Sequence, residues 1–302
     1  MQGSYTVVRL AILVLGFVVG GCGSSDLPVE SDGAQGVDVA EPGDATLKLY
    51  VFECGRLRFD TVENFSIDND ETDVRELVVP CYIVDHPDGR MLWDGGLPSH
   101  VADTEGWHAN ERIGRTARLE QTLAEQLAES ELGFDLSSLD YMAFSHIHYD
   151  HVGVANEVIG ARWLVQQGDF DAAFSDTVTV PAVQPELLTN LRDNDRLILN
   201  GDHDVFGDGR VQIIAAPGHT PGHQVLFLDL AETGPLVLSG DLYHFRLSRD
   251  DRRVPVFNVD RALSLASMER VEAFVAEKRA TMWIEHDLAL FETLRTAPQF
   301  YE

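Results

Sequence analysis

The chain has 302 residues, of which 44% are hydrophobic, and this is enough to bury a sizeable core in one large domain or two. Its 50 acidic residues against 22 basic ones give a formal net charge of −28 at pH 7. A polyanionic surface repels phosphate backbones and gains no counterion release on binding them, so the composition argues against a nucleic-acid partner and against a nuclease.

The first 22 residues have the pattern of an export signal. One basic residue, Arg9, precedes an apolar run over residues 10–19 that is too short to span a bilayer comfortably. The segment ends in Val-Gly-Gly-Cys, which resembles a bacterial lipobox, so Cys22 is predicted to become a lipidated N-terminus. We expect a lipid-anchored protein of the bacterial cell envelope, at the outer membrane or in the periplasm. A conventional secretory signal, which would give a secreted protein without a lipid, is the alternative.

The next segment, residues 23–45, is acidic and poor in large apolar side chains. It contains six acidic residues and no basic ones. Such a segment cannot bury a core, so it is predicted to be a disordered tether that holds the following domain away from a membrane surface. The folded domain is therefore predicted to span residues 46–302.

Apolar and β-branched runs predict four strands in the first half of this domain. They are Leu47–Phe52, Leu77–Val84, Met91–Trp93 and Tyr141–Ser145. Between the last two, leucines and alanines at helical spacing predict an amphipathic helix over Arg115–Leu132, with Gly133 as the left-handed residue that ends it. A further strand and helix are expected through Trp163 and Phe170.

The second half repeats this alternation of strands and helices. Its predicted strands are Val211–Ala215, Gln224–Leu228, Leu236–Leu238 and Thr281–Ile284. A long helix is predicted over Asp260–Lys278, with Asp260 as its N-cap. Two strand-rich halves with helices between them predict an α/β (α+β) fold, in which two mixed sheets pack together with helices outside. Polar residues at the strand ends would then meet along one edge.

Two cysteines of the predicted domain, Cys54 and Cys81, have two interpretations. In an oxidising compartment a disulfide between them is chemically feasible. Two small buried hydrophobic side chains in neighbouring strands are the alternative. The sequence does not decide between the two.

The densest group of metal-binding side chains is the motif HxHxDH at residues 146–151, directly after a predicted strand. Three imidazoles and a carboxylate buried together without a cation would be costly, because each nitrogen needs a partner and the carboxylate needs a counter-charge. A metal supplies both, whereas a solvated polar loop is the alternative. Imidazole-rich sites with carboxylates suit zinc, and the same ligands also accept iron, cobalt or manganese.

Three later motifs carry the same chemistry: PGHTPGH at residues 217–223, SGD at 239–241 and EHD at 285–287. Together with HxHxDH, their order and separation resemble the metallo-β-lactamase superfamily over residues 46–302. The resemblance implies a four-layer αββα sandwich that holds two Zn²⁺ ions. The ligands that it implies are His146, His148 and His219 for one ion, Asp150, His151 and His286 for the other, and Asp241 as the bridge.

Two segments near the front of the domain, residues 73–82 and 92–98, look like the opening hairpin and the WDxGLP segment of N-acyl-homoserine lactone lactonases, the quorum-quenching branch. Residues 252–255 resemble a segment that follows the bridging aspartate in lactonase-like members. The resemblance implies a hydrolase that opens a small-molecule lactone or ester by attack of a metal-bridging hydroxide, with Asp241 or Asp150 as the proton shuttle. A homodimer is expected from the resemblance alone.

One position departs from that branch, whose tyrosine lies three residues after the bridging aspartate. Here that position is His244, and Tyr243 comes one residue earlier. Adjacent residues on an extended segment point to opposite sides, so one of the two is expected to face the metals. We predict that Tyr243 does so and supplies a hydrogen bond to the developing oxyanion, with His244 as the alternative donor.

Other functions remain open on the same metal core. A β-lactamase is disfavoured by Asp241, because the lactamases that share HxHxDH lack a bridging aspartate at this place. Glyoxalase-like thioester hydrolysis is a further alternative, and the acidic charge disfavours polyanionic phosphoesters. A non-catalytic metal-binding envelope lipoprotein would be expected to lack some ligands, whereas all seven are present.

Overall fold

A computed structural model describes residues 46–110, 115–177 and 180–302. The predicted signal peptide, Cys22 and the acidic tether lie outside these residues. In the part of the chain that is described, no helix is both long enough and apolar enough to cross a membrane.

The described residues form fourteen strands and five α-helices. In chain order they are β1 (Lys48–Arg58), β2 (Glu76–His86), β3 (Gly89–Trp93), β4 (His108–Asn110), β5 (Arg115–Arg118), α1 (Leu123–Glu129), β6 (Tyr141–Ala143), β7 (Arg162–Gln166), α2 (Gln167–Ala173), β8 (Arg196–Leu199), β9 (His203–Asp204), β10 (Val211–Ala215), β11 (Gln224–Leu230), β12 (Gly234–Leu238), α3 (Arg246–Asp250), α4 (Arg261–Lys278), β13 (Thr281–Trp283), α5 (Leu288–Phe291) and β14 (Phe300–Tyr301).

The strands form two mixed sheets. The larger sheet has nine strands in the order β4-β5-β1-β2-β3-β6-β7-β8, with β14 paired to β1. The smaller sheet has five strands in the order β13-β12-β11-β10-β9. Parallel pairs join β3, β6, β7 and β8, whereas β1, β2 and β3 pair antiparallel.

Three apolar clusters define the layers. The central cluster packs the inner faces of the two sheets together through side chains such as Val51 and Trp93 of the larger sheet and Leu226 of the smaller one. On its other face the larger sheet packs against α1 and α2, and the smaller sheet packs against α4 in the same way. The predicted four-layer αββα sandwich is therefore confirmed.

The helix predicted over Arg115–Leu132 is wrong at both ends, because the observed helix covers only Leu123–Glu129. Residues 115–118 are strand β5, which pairs with both β1 and β4, and the helix begins only at Leu123. A capping box fixes that start, because Thr122 and Glu125 exchange side-chain and backbone hydrogen bonds. The left-handed residue next to the helix end is Glu131 rather than Gly133, which takes a positive φ two residues later.

The two cysteines left open by the sequence form a disulfide. Cys54 on β1 and Cys81 on β2 are bonded, with their Cα atoms 5.7 Å apart. The bond lies beneath the loop that follows β3, since a Cβ atom added to Gly96 would come within 2.2 Å of Cys54 Cβ. Gly96 has a φ of +64°, so this position requires glycine for both its backbone conformation and its close approach.

Candidate metal centre

The sheet edges bring the four sequence motifs together. The loop after β6 carries HxHxDH, the loop after β10 carries His219, a short 3₁₀ turn after β12 carries Asp241, and the residues after β13 carry His286. All seven predicted ligands are buried, none with more than 4% of its surface exposed. We refer to these seven residues, which are His146, His148, Asp150, His151, His219, Asp241 and His286, as the His/Asp cluster.

Three imidazoles of the cluster converge on one point. The Nε2 atom of His146 lies 2.8 Å from Nδ1 of His148, and Nε2 of His219 lies 3.1 Å from both of these nitrogens. Asp241 adds its Oδ2 atom, 3.0 Å from His219 Nε2 and 3.5 Å from His146 Nε2. These four side chains offer ligand atoms that all lie within 4.8 Å of one another.

The second group consists of Asp150, His151 and His286, whose ligand atoms also lie within 4.8 Å of one another. Asp241 turns its other oxygen towards this group, with Oδ1 2.9 Å from His286 Nε2 and 3.4 Å from His151 Nε2. One carboxylate therefore presents one oxygen to each group of ligands.

The chemistry of this donor set fits divalent metal ions. Each imidazole nitrogen carries either a proton or a lone pair, so three nitrogens facing one point cannot satisfy one another by hydrogen bonds. Nε2 of His151 is buried and has no hydrogen-bond partner among the described residues. Burial lowers the pKa of His146 and His148 well below the usual range, which keeps both rings neutral and their lone pairs available to a metal. Neutral imidazoles with carboxylates are the ligands that zinc prefers, together with related transition metals.

Neighbouring acceptors orient the rings of the cluster. Nδ1 of His219 contacts Asn258 Oδ1 at 2.9 Å, and Nδ1 of His286 contacts the Val78 carbonyl oxygen at 2.7 Å. When Nδ1 donates to such an acceptor, the Nε2 lone pair is left for a metal. Sequence reasoning missed Asn258, because a lone asparagine in a loop carries no metal-binding signature.

Asp94 supports His151 in the same way. It follows β3, is fully buried, and places Oδ2 3.1 Å from His151 Nδ1. Its Oδ1 atom accepts a hydrogen bond from the backbone N–H of Ser145 at 2.6 Å, which ties the loop after β3 to the start of HxHxDH. In the sequence this aspartate stands out only as part of the segment at residues 92–98, although its position after a strand is the signal that the cluster residues share.

The structure reverses the prediction for Tyr243 and His244. His244 places Nε2 2.9 Å from Asp241 Oδ2, whereas Tyr243 is buried in the apolar cluster between the smaller sheet and α4. The backbone at Tyr243 is extended, so the two side chains point to opposite sides, and the aromatic ring takes the apolar side. The prediction that Tyr243 faces the cluster is therefore wrong.

A cavity of about 360 Å³ opens onto the cluster. His148, Asp150, Asp241 and His286 line it on the polar side, together with His244. Three phenylalanines also line it, and we refer to them as the aromatic wall; they are Phe59, Phe65 and Phe257. The wall is closely packed, since the ring centroid of Phe65 lies 5.1 Å from that of Phe59 and 5.4 Å from that of Phe257. The cavity therefore joins a polar reaction centre to an apolar binding surface.

A second cavity of about 490 Å³ adjoins the first, and its lining is mostly apolar. His244, His286 and Leu77 line both cavities, so these three side chains separate them. The rings of His244 and His286 stack with centroids 5.7 Å apart.

Comparison with known proteins gives consistent matches. The sequence-family model of the metallo-beta-lactamase superfamily matches residues 74–282 of this chain. The N-acyl homoserine lactonase AttM of Rhizobium radiobacter is 26% identical over 269 residues, which cover 84% of this chain and 98% of that protein. The N-acyl homoserine lactonase AiiA of Bacillus thuringiensis subsp. kurstaki is 26% identical over 258 residues, with the same two coverages. A crystal structure of a B. thuringiensis AiiA mutant with N-decanoyl-L-homoserine bound at the active site has a TM-score of 0.71, 26% identity, and covers 85% of this chain and 99% of that one.

Proposed function

The chain belongs to the metallo-β-lactamase superfamily, and from this premise we propose that it hydrolyses the ester bond of a lactone ring, with N-acyl-homoserine lactones as the substrate class. The observation that carries the proposal is Asp241, which presents one carboxylate oxygen to each of two groups of ligands. The similarity to N-acyl homoserine lactonases along almost their whole length supports the substrate class. The cavity beside the cluster, with its aromatic wall, would accept the acyl chain.

We further propose that the cluster holds two zinc ions. His146, His148 and His219 would hold one, Asp150, His151 and His286 the other, and Asp241 would bind both. Two divalent cations at such a site lower the pKa of a water molecule and polarise a substrate carbonyl.

The protein's own residues would hold and move the proton. Asp150 and Asp241 both line the cavity, so a carboxylate oxygen is available to take a proton from the attacking water and return it to the leaving alkoxide. Burial lowers the pKa of His244 to about 4, so its ring is neutral at pH 7. A neutral ring whose Nε2 donates to Asp241 Oδ2 would hold that carboxylate in one orientation.

A panel of lactones with product mass determination, run on zinc- and cobalt-loaded protein, tests the function. We expect a gain of one water on each hydrolysed lactone and a turnover that exceeds that of the β-lactam nitrocefin and of a thioester. In Asp241→Asn we expect metal content and rate to fall together. Faster nitrocefin turnover would point to a β-lactamase, and a metal-loaded protein without any hydrolysis would point to a binding role.

We also propose, from residues 1–22 alone, that the protein is exported and anchored to the cell envelope through Cys22. The test is expression of the full chain in a bacterium with fractionation and labelling by a fatty acid. We expect label in the membrane fraction for the wild type and a loss of label in Cys22→Ser. Unlabelled secreted protein in both cases would favour a conventional signal peptide.

A further inference from the structure

Arg115 places a positive charge in the wall of the first cavity, which it shares with the His/Asp cluster. It is the first residue of β5, and the next residue, Thr116, pairs with Arg58 of β1. The backbone of Arg115 is therefore part of the larger sheet, and the sheet fixes the position from which the side chain extends. A small molecule held at the cluster would lie in the same cavity as the guanidinium.

The guanidinium packs against the aromatic wall. Its central carbon lies 4.6 Å from the ring centroid of Phe59, 5.7 Å from that of Phe257 and 5.9 Å from that of Phe65. A guanidinium that stacks on ring faces keeps its N–H groups at the edge of its own plane, where they can still donate. The wall would thus hold the cation in place and leave donors for a ligand.

Arg115 is the one lysine or arginine among the described residues that line this cavity. The ion pairs between described residues do not include it, whereas Arg118, three residues along the same strand, pairs with Glu120 at 3.0 Å. The guanidinium shares its cavity with three residues of the cluster, which are His148, Asp150 and Asp241.

We propose that Arg115 donates hydrogen bonds to the carbonyl oxygen of an acyl amide on the lactone ring, while the aromatic wall contacts the acyl chain beyond it. This inference rests on the proposed lactone hydrolysis and names the group that selects the substrate. A neutral carbonyl is favoured over an anionic group, because Asp150 and Asp241 line the same cavity and the chain has a net charge of −28. Arg115 would therefore favour N-acylated lactones over lactones with plain alkyl substituents.

The test compares two lactones that differ in the amide. One is N-hexanoyl-homoserine lactone, and the other is an α-alkyl-γ-butyrolactone of equal chain length without the amide. Arg115→Met keeps the stem and removes the donors, so we expect kcat/KM for the first lactone to fall roughly 10- to 100-fold, the usual worth of a hydrogen bond to a charged group. For the second lactone we expect a change of less than about threefold. Arg115→Lys should give an intermediate loss, because an ammonium donates without the planar fork.

Binding supplies a readout that is independent of turnover. The ester-free analogue N-hexanoyl-homoserine lactam, titrated by calorimetry, should bind Arg115→Met with a Kd raised by the same factor of roughly 10 to 100. The matched control is Arg118→Met. The guanidinium of Arg118 stacks on Trp107, 5.2 Å from the ring centroid, and does not line this cavity, so the variant should leave both readouts at wild-type values.

Two outcomes would overturn the inference: an equal loss for both lactones in Arg115→Met, which indicates a structural role, or no loss for either. If the wild type hydrolyses neither lactone, the proposed function fails, and the lactam titration alone then decides whether Arg115 binds the amide.

Discussion

The two sides of the first cavity are built in different ways. The residues of the His/Asp cluster lie in the loops that follow strand ends, and every one of them is buried. The aromatic wall comes from the residue after β1, a short 3₁₀ helix that follows it, and the loop before α4, which is far from the other two in the chain. The cluster is held by polar contacts from several elements, whereas the wall is held by ring packing. We infer that the cluster sets the chemistry and that the wall can vary to set the substrate.

Removal of metal should have the largest effect on activity and stability, because every residue of the His/Asp cluster would lose its bound ion at once. We expect a chelator to abolish hydrolysis. It should also lower the free energy of unfolding by about 4 kcal/mol, which is the stabilisation by one bound ion whose free concentration is about 1,000 times its Kd. For a chain of this size the melting temperature should fall by roughly 10 °C. Differential scanning calorimetry before and after chelation, with zinc added back as the control, measures both effects. An unchanged melting temperature would show that the polar contacts hold the cluster without an ion.

Asp169 tests whether polar contacts outside the cluster hold the ligand loops. It lies on α2 and accepts hydrogen bonds from the Thr220 hydroxyl at 2.8 Å and the Gly222 N–H at 2.6 Å, which tie down the loop that carries His219. Burial raises the pKa of Asp169 to about 6, although these hydrogen bonds oppose the rise. The folded-state pKa lies above the ordinary 3.8, so the protonated carboxyl of Asp169 stabilises the folded state. This contribution to the free energy of unfolding is full below about pH 4 and is lost as the pH rises through 6.

The expected result for Asp169→Asn is a flatter dependence of stability on pH. The wild type should lose roughly 2 to 3 kcal/mol of unfolding free energy between pH 4 and pH 7 through this group, and the variant should not. Urea denaturation at several pH values measures the difference. Asp171→Asn, which changes an exposed carboxylate on the same helix, is the control and should keep the wild-type slope. Equal slopes in wild type and Asp169→Asn would contradict the assignment.

The next smaller effect is expected for Asp94, which makes a single polar contact to a ring of the cluster. Asp94→Asn keeps the size of the side chain but removes the negative charge beside His151 Nδ1, at 3.1 Å. Loss of such a partner costs about 10- to 100-fold in metal affinity or activity. We expect that loss in a competition titration with a zinc chelator, and a matching loss in kcat. Asp140→Asn, which removes a carboxylate at the opposite end of β3 and β6, should leave metal affinity unchanged.

The cluster could be predicted from the sequence because its signal is local. Histidines and aspartates at fixed spacing after apolar strands predicted the ligand groups, and the alternation of strands and helices predicted the two packed sheets. The residues that support the ligands were harder to find, since Asn258 acts through a single contact across the fold.

The cavity lining outside the cluster could not be predicted, and Arg115 shows why. The helical spacing of Leu119, Leu123 and Leu127 predicts a helix that begins at Arg115, but pairing with β1 and β4 makes residues 115–118 a strand. Such pairing is a long-range property that a local periodicity does not contain. The choice between Tyr243 and His244 failed for a related reason, because it depended on which side of an extended segment meets the apolar face beneath α4.

The smallest predicted effect concerns the wall itself. Phe257 lies within ring contact of His219 and His244, at centroid distances of 5.9 Å and 5.6 Å. Phe257→Ala removes apolar surface from the wall but no polar contact from the cluster. We therefore expect metal content to stay at the wild-type value, while kcat/KM for a decanoyl lactone falls about tenfold and that for a butanoyl lactone changes little. The control Phe274→Ala removes a ring that packs on Phe227 beneath α4, and should lower stability without changing this ratio. A parallel loss of metal in Phe257→Ala would mean that the wall also holds His219 in place, and that chemistry and substrate selection are not separable in this fold.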